Sequence, residues 1–136
     1  MTKLTNLRYL QEKDLFIYLR ENKFTDLVES RNKMSIWDCY SPKEKSRIEL
    51  KCRRVHYQTL LIEKKKYDSM IEKCKKYSDI PLYINSTPKG IYCFNLLLLD
   101  VKWEGKMLPQ NTDFGGSKKI IKEVGFLNIS DAYKIL

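Results

Sequence analysis

Two carboxylates and a lysine follow one another at a spacing that suits phosphodiester hydrolysis. Ten residues, including a turn, separate Asp38 from Glu49, and Lys51 follows Glu49 by two positions. A hard divalent cation prefers oxygen ligands, and Mg²⁺ takes one or two carboxylates while keeping several waters. Such an ion lowers the pKa of a water and neutralises charge that builds on the phosphate. A nearby lysine orients the nucleophile or stabilises the same charge.

Two neighbouring strands are needed to bring these groups together. Residues 34–40 and 47–54 alternate in the manner of strands, and the polar, Pro-containing residues 41–46 predict a hairpin turn between them. Because successive side chains point to opposite faces of a sheet, Glu49 and Lys51 share one face. We expect Asp38 to lie beside Glu49, with the peptide carbonyl of Leu50 as a further oxygen ligand.

The rest of the chain predicts an α/β domain with a mixed sheet flanked by helices. The order is helix, strand, strand, helix, strand, strand and then a mixed tail. The segments are a helix at 3–20 that Asn22 can end, the strands at 34–40 and 47–54, a helix at 59–76, strands at 81–86 and 91–98, irregular chain at 103–114, and short helices at 117–123 and 130–136. We expect one domain over residues 1–136, with a core at about 4–98 and a C-terminal extension at about 99–136.

The net charge indicates what kind of partner the protein binds, and the cysteines and the N-terminal sequence indicate its cellular location. Among 136 residues, Lys and Arg exceed Asp and Glu by nine, which favours a polyanionic partner. The four cysteines have no zinc-knuckle or redox spacing, and the single histidine argues against a Cys/His zinc site. No signal peptide or membrane-length apolar run is visible. We therefore expect a cytoplasmic protein, in a host cell if viral, that is neither secreted nor bound to a membrane.

These residues resemble the signature of the PD-(D/E)XK nuclease superfamily. The matching segments are Ile36-Trp37-Asp38, the hairpin gap, and Ile48-Glu49-Leu50-Lys51. Trp37 replaces the proline that gives the signature its first letter. The superfamily includes restriction enzymes, Holliday-junction resolvases and phage recombination nucleases. Its core order is helix, three strands, helix, strand, which is close to the order of the segments above. The resemblance covers roughly residues 4–98 and implies catalysis by Asp38, Glu49 and Lys51 with Mg²⁺ or Mn²⁺.

The resemblance also implies a supporting carboxylate on the first helix. Glu12 is the candidate metal ligand, because it shares a helix face with Leu15 and Leu19 that should meet the sheet. Glu21 and Glu29 are alternatives nearer the following loop.

Several basic and aromatic residues are candidates for contact with DNA. Arg53, Arg54, His56 and Tyr57 follow the second strand directly, where a bound strand would pass, although His56 could equally be a structural loop residue. On the second helix, Lys64 and Lys66 cannot both face the site. Three residues of the tail, Trp103, Lys106 and Phe114, could stack on or contact unpaired bases, but we expect them to serve the core.

The sequence therefore predicts a metal-dependent DNA endonuclease. Small members of the superfamily often act as homodimers, which points to recombination, repair or phage-type genome processing. The alternative is a basic nucleic-acid-binding module, or an accessory subunit, that uses the same fold without chemistry.

Overall fold

The computed structural model describes residues 10–30, 37–110 and 118–136. It contains two helices, α1 (Glu12–Asn22) and α2 (Lys64–Tyr77). The strands are β1 (Val28–Glu29), β2 (Cys39–Ser41), β3 (Ser46–Cys52), β4 (Thr59–Glu63), β5 (Ile80–Thr87), β6 (Gly90–Asn95), β7 (Glu104–Pro109), β8 (Lys119–Asn128) and β9 (Tyr133–Lys134). Short 3₁₀ turns cover Leu96–Leu98 and Ile129–Asp131.

The strands form two sheets. The first has the order β1-β2-β3-β5-β6-β9, in which β3 and β5 are parallel and every other neighbour is antiparallel. The second has the order β4-β8-β7 and is antiparallel throughout. The prediction of a mixed sheet with helices is confirmed, and the second sheet is an addition to it.

Two hydrophobic clusters cover opposite faces of the first sheet. On one face α1 buries Leu15 and Leu19 completely, and both side chains belong to the cluster that contains Ile48 and Leu50 of β3. On the other face α2 and the second sheet enclose a cluster that includes Met70, Ile62 and Tyr83. The alternating burial of β3 therefore leaves Glu49 and Lys51 on one face, as the sequence pattern predicts, and this is the α2 side.

The N-terminal half follows the sequence closely. Asn22 ends α1, and its side-chain amide donates to the Tyr18 carbonyl at 2.9 Å. The helix begins at Glu12 within the described residues; the earlier part of the expected helix, up to residue 9, lies outside them. The expected strand at 34–40 reduces to β2, which starts at Cys39, and residues 31–36 also lie outside the described chain.

Five predictions for the chain after residue 58 were wrong. The expected helix at 59–76 starts only at Lys64, because 59–63 pair with β8 as a strand. The strand expected at 91–98 ends at Asn95. Residues 104–109 and 119–128 pair as strands, where irregular chain and a helix were expected. The helix expected at 130–136 is instead a 3₁₀ turn followed by β9, which pairs with β6. No helix among the described residues is both long and apolar enough to cross a bilayer.

Candidate nuclease site

Asp38 lies immediately before β2 and is held by backbone groups of the neighbouring strand. Its own N–H donates to the Ile48 carbonyl at 2.8 Å, next to the Cys39–Ile48 pair. Its carboxylate Oδ2 accepts the N–H of Leu50 at 2.7 Å. Because Leu50 directs its N–H to this edge of β3, its carbonyl leaves the strand at the same edge, beside Asp38. The local geometry thus fixes one carboxylate and orients one peptide carbonyl.

Glu49 lies on β3, facing α2, and is largely shielded from solvent. Its side chain is 16% exposed, and Lys66 Nζ lies 3.4 Å from its Oε2. Burial, followed by the charge of Asp38, raises the pKa of Glu49 to about 7 against the pull of Lys66. The negative charges of Glu49 and Asp38 are therefore close enough to oppose each other.

Glu12 reaches the same group of acids from α1. It is hydrogen-bonded to the Asp38 side chain, and burial together with Asp38 raises its pKa to about 7. Glu29 adds a smaller repulsion, while Lys51 opposes the rise. Of the three carboxylates proposed to support a metal, Glu12 thus lies against Asp38. Glu29 lines the same cavity, and Glu21 is exposed further along α1 and does not line it.

Two openings flank this group of acids. A cavity of about 590 Å³ is lined by α1 and the chain around Asp38, with Glu12, Glu29 and Asp38 in its wall. A second cavity, of about 280 Å³, lies on the α2 side and contains Glu49 and Lys51. Together they give solvent and substrate access to both sides of the acidic cluster.

The donor set suits a small hard cation with few protein ligands. Within the described part of the chain, no three or more His, Cys, Asp or Glu side chains are grouped so as to share one ion. Asp38 and Glu49, with the Leu50 carbonyl, offer oxygen atoms only. Mg²⁺ commonly uses one or two carboxylates and retains waters, so these residues fit that ion.

The comparisons with known proteins agree with this geometry at the level of the fold. No protein-family model and no curated protein matches the chain. Among solved structures, the Holliday junction resolvase Hjc from Archaeoglobus fulgidus, an archaeal hyperthermophile, is similar at a TM-score of 0.58. The two chains are 13% identical over 91% of this chain and 88% of the resolvase. Hjc is a member of the PD-(D/E)XK superfamily. This chain shares the α/β fold of that resolvase.

Within this fold, the residues expected to contact DNA occupy different environments. Arg54 and Tyr57 are exposed, and the Tyr57 side chain is 61% accessible. Arg53 is directed inward: its Nε donates to Asn85 and its Nη2 to the Leu61 carbonyl and the Tyr83 hydroxyl. Two of the three guanidinium nitrogens of Arg53 are thus engaged within the protein, and its contact with phosphate stays a prediction.

His56 is held in the loop after β3. Its Nδ1 lies 2.8 Å from the Thr87 hydroxyl, and its ring packs near Tyr92 at 5.8 Å between centroids. Burial, with smaller effects from Lys89 and Lys134, lowers its pKa. These contacts favour the structural reading of His56, although its role in binding DNA is untested.

The position of α2 decides between the two candidate lysines. Lys64 pairs with Asp68 at 2.6 Å on the exposed side of the helix. Lys66 points to Glu49 and lines the smaller cavity. The first turn of α2 therefore brings Lys66, and not Lys64, to the acidic cluster.

The sequence analysis did not anticipate the second sheet beside the site. Leu108 and Lys122 line the smaller cavity, and Lys122 Nζ binds Glu63 at 2.7 Å. Trp103 packs against the α2 cluster and meets Tyr67 edge-on at 5.1 Å, as expected for a core residue. Phe114 lies outside the described residues. Residues 119–124 do not alternate between apolar and polar side chains, so no local sequence signal identified this strand.

The acids should make the metal-free protein less stable as the pH rises. The pKa of Glu49 is about 7 in the folded chain and near its ordinary value of 4.5 in the unfolded chain. The unfolded state therefore binds fewer protons between these values, and the free energy of unfolding falls as pH rises from about 4.5 to about 7. We expect the thermal midpoint in EDTA to fall over this range and to fall less in Glu49→Gln.

Added Mg²⁺ should reverse part of this loss in the absence of DNA. At pH 8 it is expected to raise the midpoint of the native protein more than that of Glu49→Gln, because binding to the folded state stabilises it. A difference of 1 kcal/mol corresponds to roughly 3–6 °C for a chain of this size. Glu72→Gln, an exposed change on α2, is the control. An equal Mg²⁺ response in all three proteins would contradict a metal site at Glu49.

Proposed function

We propose that this protein is a divalent-metal-dependent DNA endonuclease that hydrolyses phosphodiester bonds in branched DNA. The observation that supports the proposal is that Asp38 lies close enough to Glu49 to raise its pKa, while Lys51 lines the same cavity as Glu49, on a fold shared with a Holliday junction resolvase. A role in recombination, repair or phage-type genome processing follows from that substrate class. The similarity to a structure described as a Holliday junction resolvase supports a branched substrate.

Asp38, Glu49 and the Leu50 carbonyl would hold the ion, and Glu12 would support it through Asp38. When bound, Mg²⁺ or Mn²⁺ would lower the pKa of a water and neutralise charge on the scissile phosphate. The Leu50 N–H keeps Asp38 in place, since it donates to one of the two carboxylate oxygens. Glu49 is kept from solvent, and in the metal-free protein burial and the charge of Asp38 raise its pKa, so a bound cation would favour its ionised form.

Lys51 and Lys66 would have different roles in the site. Lys51 shares the face of β3 with Glu49 and lines the smaller cavity, where it can orient the attacking water or stabilise charge on the phosphate. Lys66 already approaches Glu49 at 3.4 Å, so it positions that carboxylate. The positive charge of the chain, with Arg54 and Tyr57 exposed beyond β3, would attract and hold the DNA backbone. A homodimer would allow the two strands of a junction to be cut in one complex.

The test is cleavage of a four-way junction, a flap, a single strand and supercoiled plasmid, each with Mg²⁺, Mn²⁺ or EDTA. We expect metal-dependent cutting, with the junction preferred. Asp38→Asn, purified in the same way, controls for contaminating nucleases, since Asn can still accept the Leu50 N–H. Binding without cleavage under every metal would contradict the enzyme and favour a non-catalytic nucleic-acid-binding module.

A further inference from the structure

The second sheet extends beyond β4 as a two-stranded arm. Strand β4 pairs with residues 124–128 of β8, whereas β7 pairs with residues 119–124. A further hydrogen bond, from the Gln110 N–H to the Lys118 carbonyl, continues the ladder. In the described chain, the five residue pairs that run from Gly105 with Glu123 to Pro109 with Lys119 have no third strand beside them. Most side chains of this arm are exposed, and isolated two-stranded ribbons gain stability by packing on a partner.

The two faces of the arm differ in chemistry. The inner face carries Leu108 and Lys122, which line the same cavity as Glu49 and Lys51. Strand alternation places Lys106 and Lys118 on this inner face as well. The outer face exposes the directly paired Met107 and Ile121, at 56% and 73%.

The inner face also places two like charges opposite each other. Lys106 and Lys122 are direct cross-strand partners, an arrangement that is unfavourable unless the charges are compensated. Glu63 compensates Lys122 at 2.7 Å. Lys106 lies over the Phe126 ring at 5.0 Å, and in the described part of the chain it forms no ion pair. The exposed ammonium of Lys106 is therefore available to an anionic partner.

We propose that the inner face of the β7–β8 arm lies along the sugar-phosphate backbone of duplex DNA that leads away from the cleavage site. The inference rests on the proposed function, because it assigns the DNA of the same site as partner. Lys106 and Lys118 contact phosphates, while Lys122 stays bound to Glu63. Six paired residues span roughly 20 Å, or about six base pairs at 3.4 Å each. The arm therefore holds about half a turn of duplex next to the scissile bond.

The experiment measures binding of a duplex and of a single strand of equal length, in EDTA, across a salt series. In the duplex, the double variant Lys106→Ala/Lys118→Ala is expected to bind about tenfold more weakly at 0.1 M salt and to reduce the slope of log K against log salt by about 2. Lys119→Ala changes the neighbouring residue on the outer face, and Lys65→Ala/Lys119→Ala matches the double variant in charge. Both controls should bind nearly as the native protein does.

A second measurement varies the length of the duplex next to the cleavage site. The difference between the native protein and the inner-face variant should vanish when that duplex is shorter than about six base pairs. Equal losses in the charge-matched control, or a loss confined to the single strand, would overturn the proposal. Unchanged DNA affinity together with a dimer that Ile121→Ser disperses would overturn it in favour of a second copy of this chain as the partner.

The proposal that the arm contacts DNA and the proposal that the protein is a nuclease can be rejected independently of each other. Binding in EDTA requires no chemistry, so a reduced salt slope without any cleavage would support the arm and reject the enzyme. Metal-dependent cleavage, together with an inner-face variant whose salt slope equals that of the native protein, would support the enzyme and reject the arm as a DNA contact.

Discussion

Lys51→Ala is expected to lower the cleavage rate at saturating DNA by roughly 10²–10⁴-fold, while DNA affinity in EDTA changes only a few-fold. Lys51 lies two residues after Glu49 on the same face of β3 and lines the cavity on the α2 side. Among the described residues its ammonium forms no ion pair, so its removal leaves no buried charge behind. The loss should therefore appear in the chemical step and not in folding.

Single-turnover cleavage of the preferred substrate measures this effect. Lys65→Ala, an exposed change on α2 outside both cavities, is the matched control and should cleave at the native rate. Lys66→Ala separates positioning from chemistry: because it frees Glu49, it should shift the pH profile of the rate towards higher pH, where the unpaired carboxylate ionises. A Lys51→Ala rate within a few-fold of the native one would remove Lys51 from the mechanism.

Asp79→Ala is expected to lower the free energy of unfolding by roughly 3–5 kcal/mol, because it leaves a buried guanidinium without its partner. Arg47 Nε binds Asp79 Oδ2 at 2.6 Å, and the two side chains are only 14% and 5% exposed. The guanidinium is also surrounded by the rings of Trp37, Tyr40 and Tyr77 at 4.0–5.0 Å. This cluster joins the chain after α2 to the strand that carries Glu49.

Urea denaturation measures this loss, with Asp68→Ala as the control. Asp68 forms an exposed ion pair with Lys64 within α2, and such a pair contributes only about 0.3–0.5 kcal/mol. Asp79→Ala should therefore be several-fold more destabilising than Asp68→Ala, although each variant breaks one ion pair at 2.6 Å. Equal losses would mean that the Arg47 cluster does not stabilise the fold.

The local sequence pattern was sufficient to predict strands and the faces of their side chains where the paired strands are near each other in the sequence. The alternation in 47–54 predicted that Glu49 and Lys51 share a face, and the turn at 41–46 predicted the hairpin that brings Asp38 to β3. It could not show that Asp38 leaves the strand and turns its carboxylate to the Leu50 N–H, because that contact depends on the backbone at one position.

Pairing between distant segments was invisible to local pattern. Residues 59–63 contain Leu60, Leu61 and Ile62, which satisfy a helical and an extended pattern equally well. Only the pairing with β8 makes them a strand. The same pairing sets where α2 begins and hence that Lys66 faces Glu49, a choice that the sequence left open between Lys64 and Lys66. The arm was missed for the same reason.

The connection between β4 and β8 also sets the order in which the molecule can be made. Leu60 pairs with Leu127, so the second sheet cannot form until residue 127 has left the ribosome. The acids, the lysines and strands β2, β3, β5 and β6 all lie before residue 96 and can assemble earlier. Since long-range pairing is slow, β4 remains for a time an uncovered edge. Synthesis thus completes the first sheet before the β7–β8 arm, and Leu60 and Ile62 are open to aggregation in between.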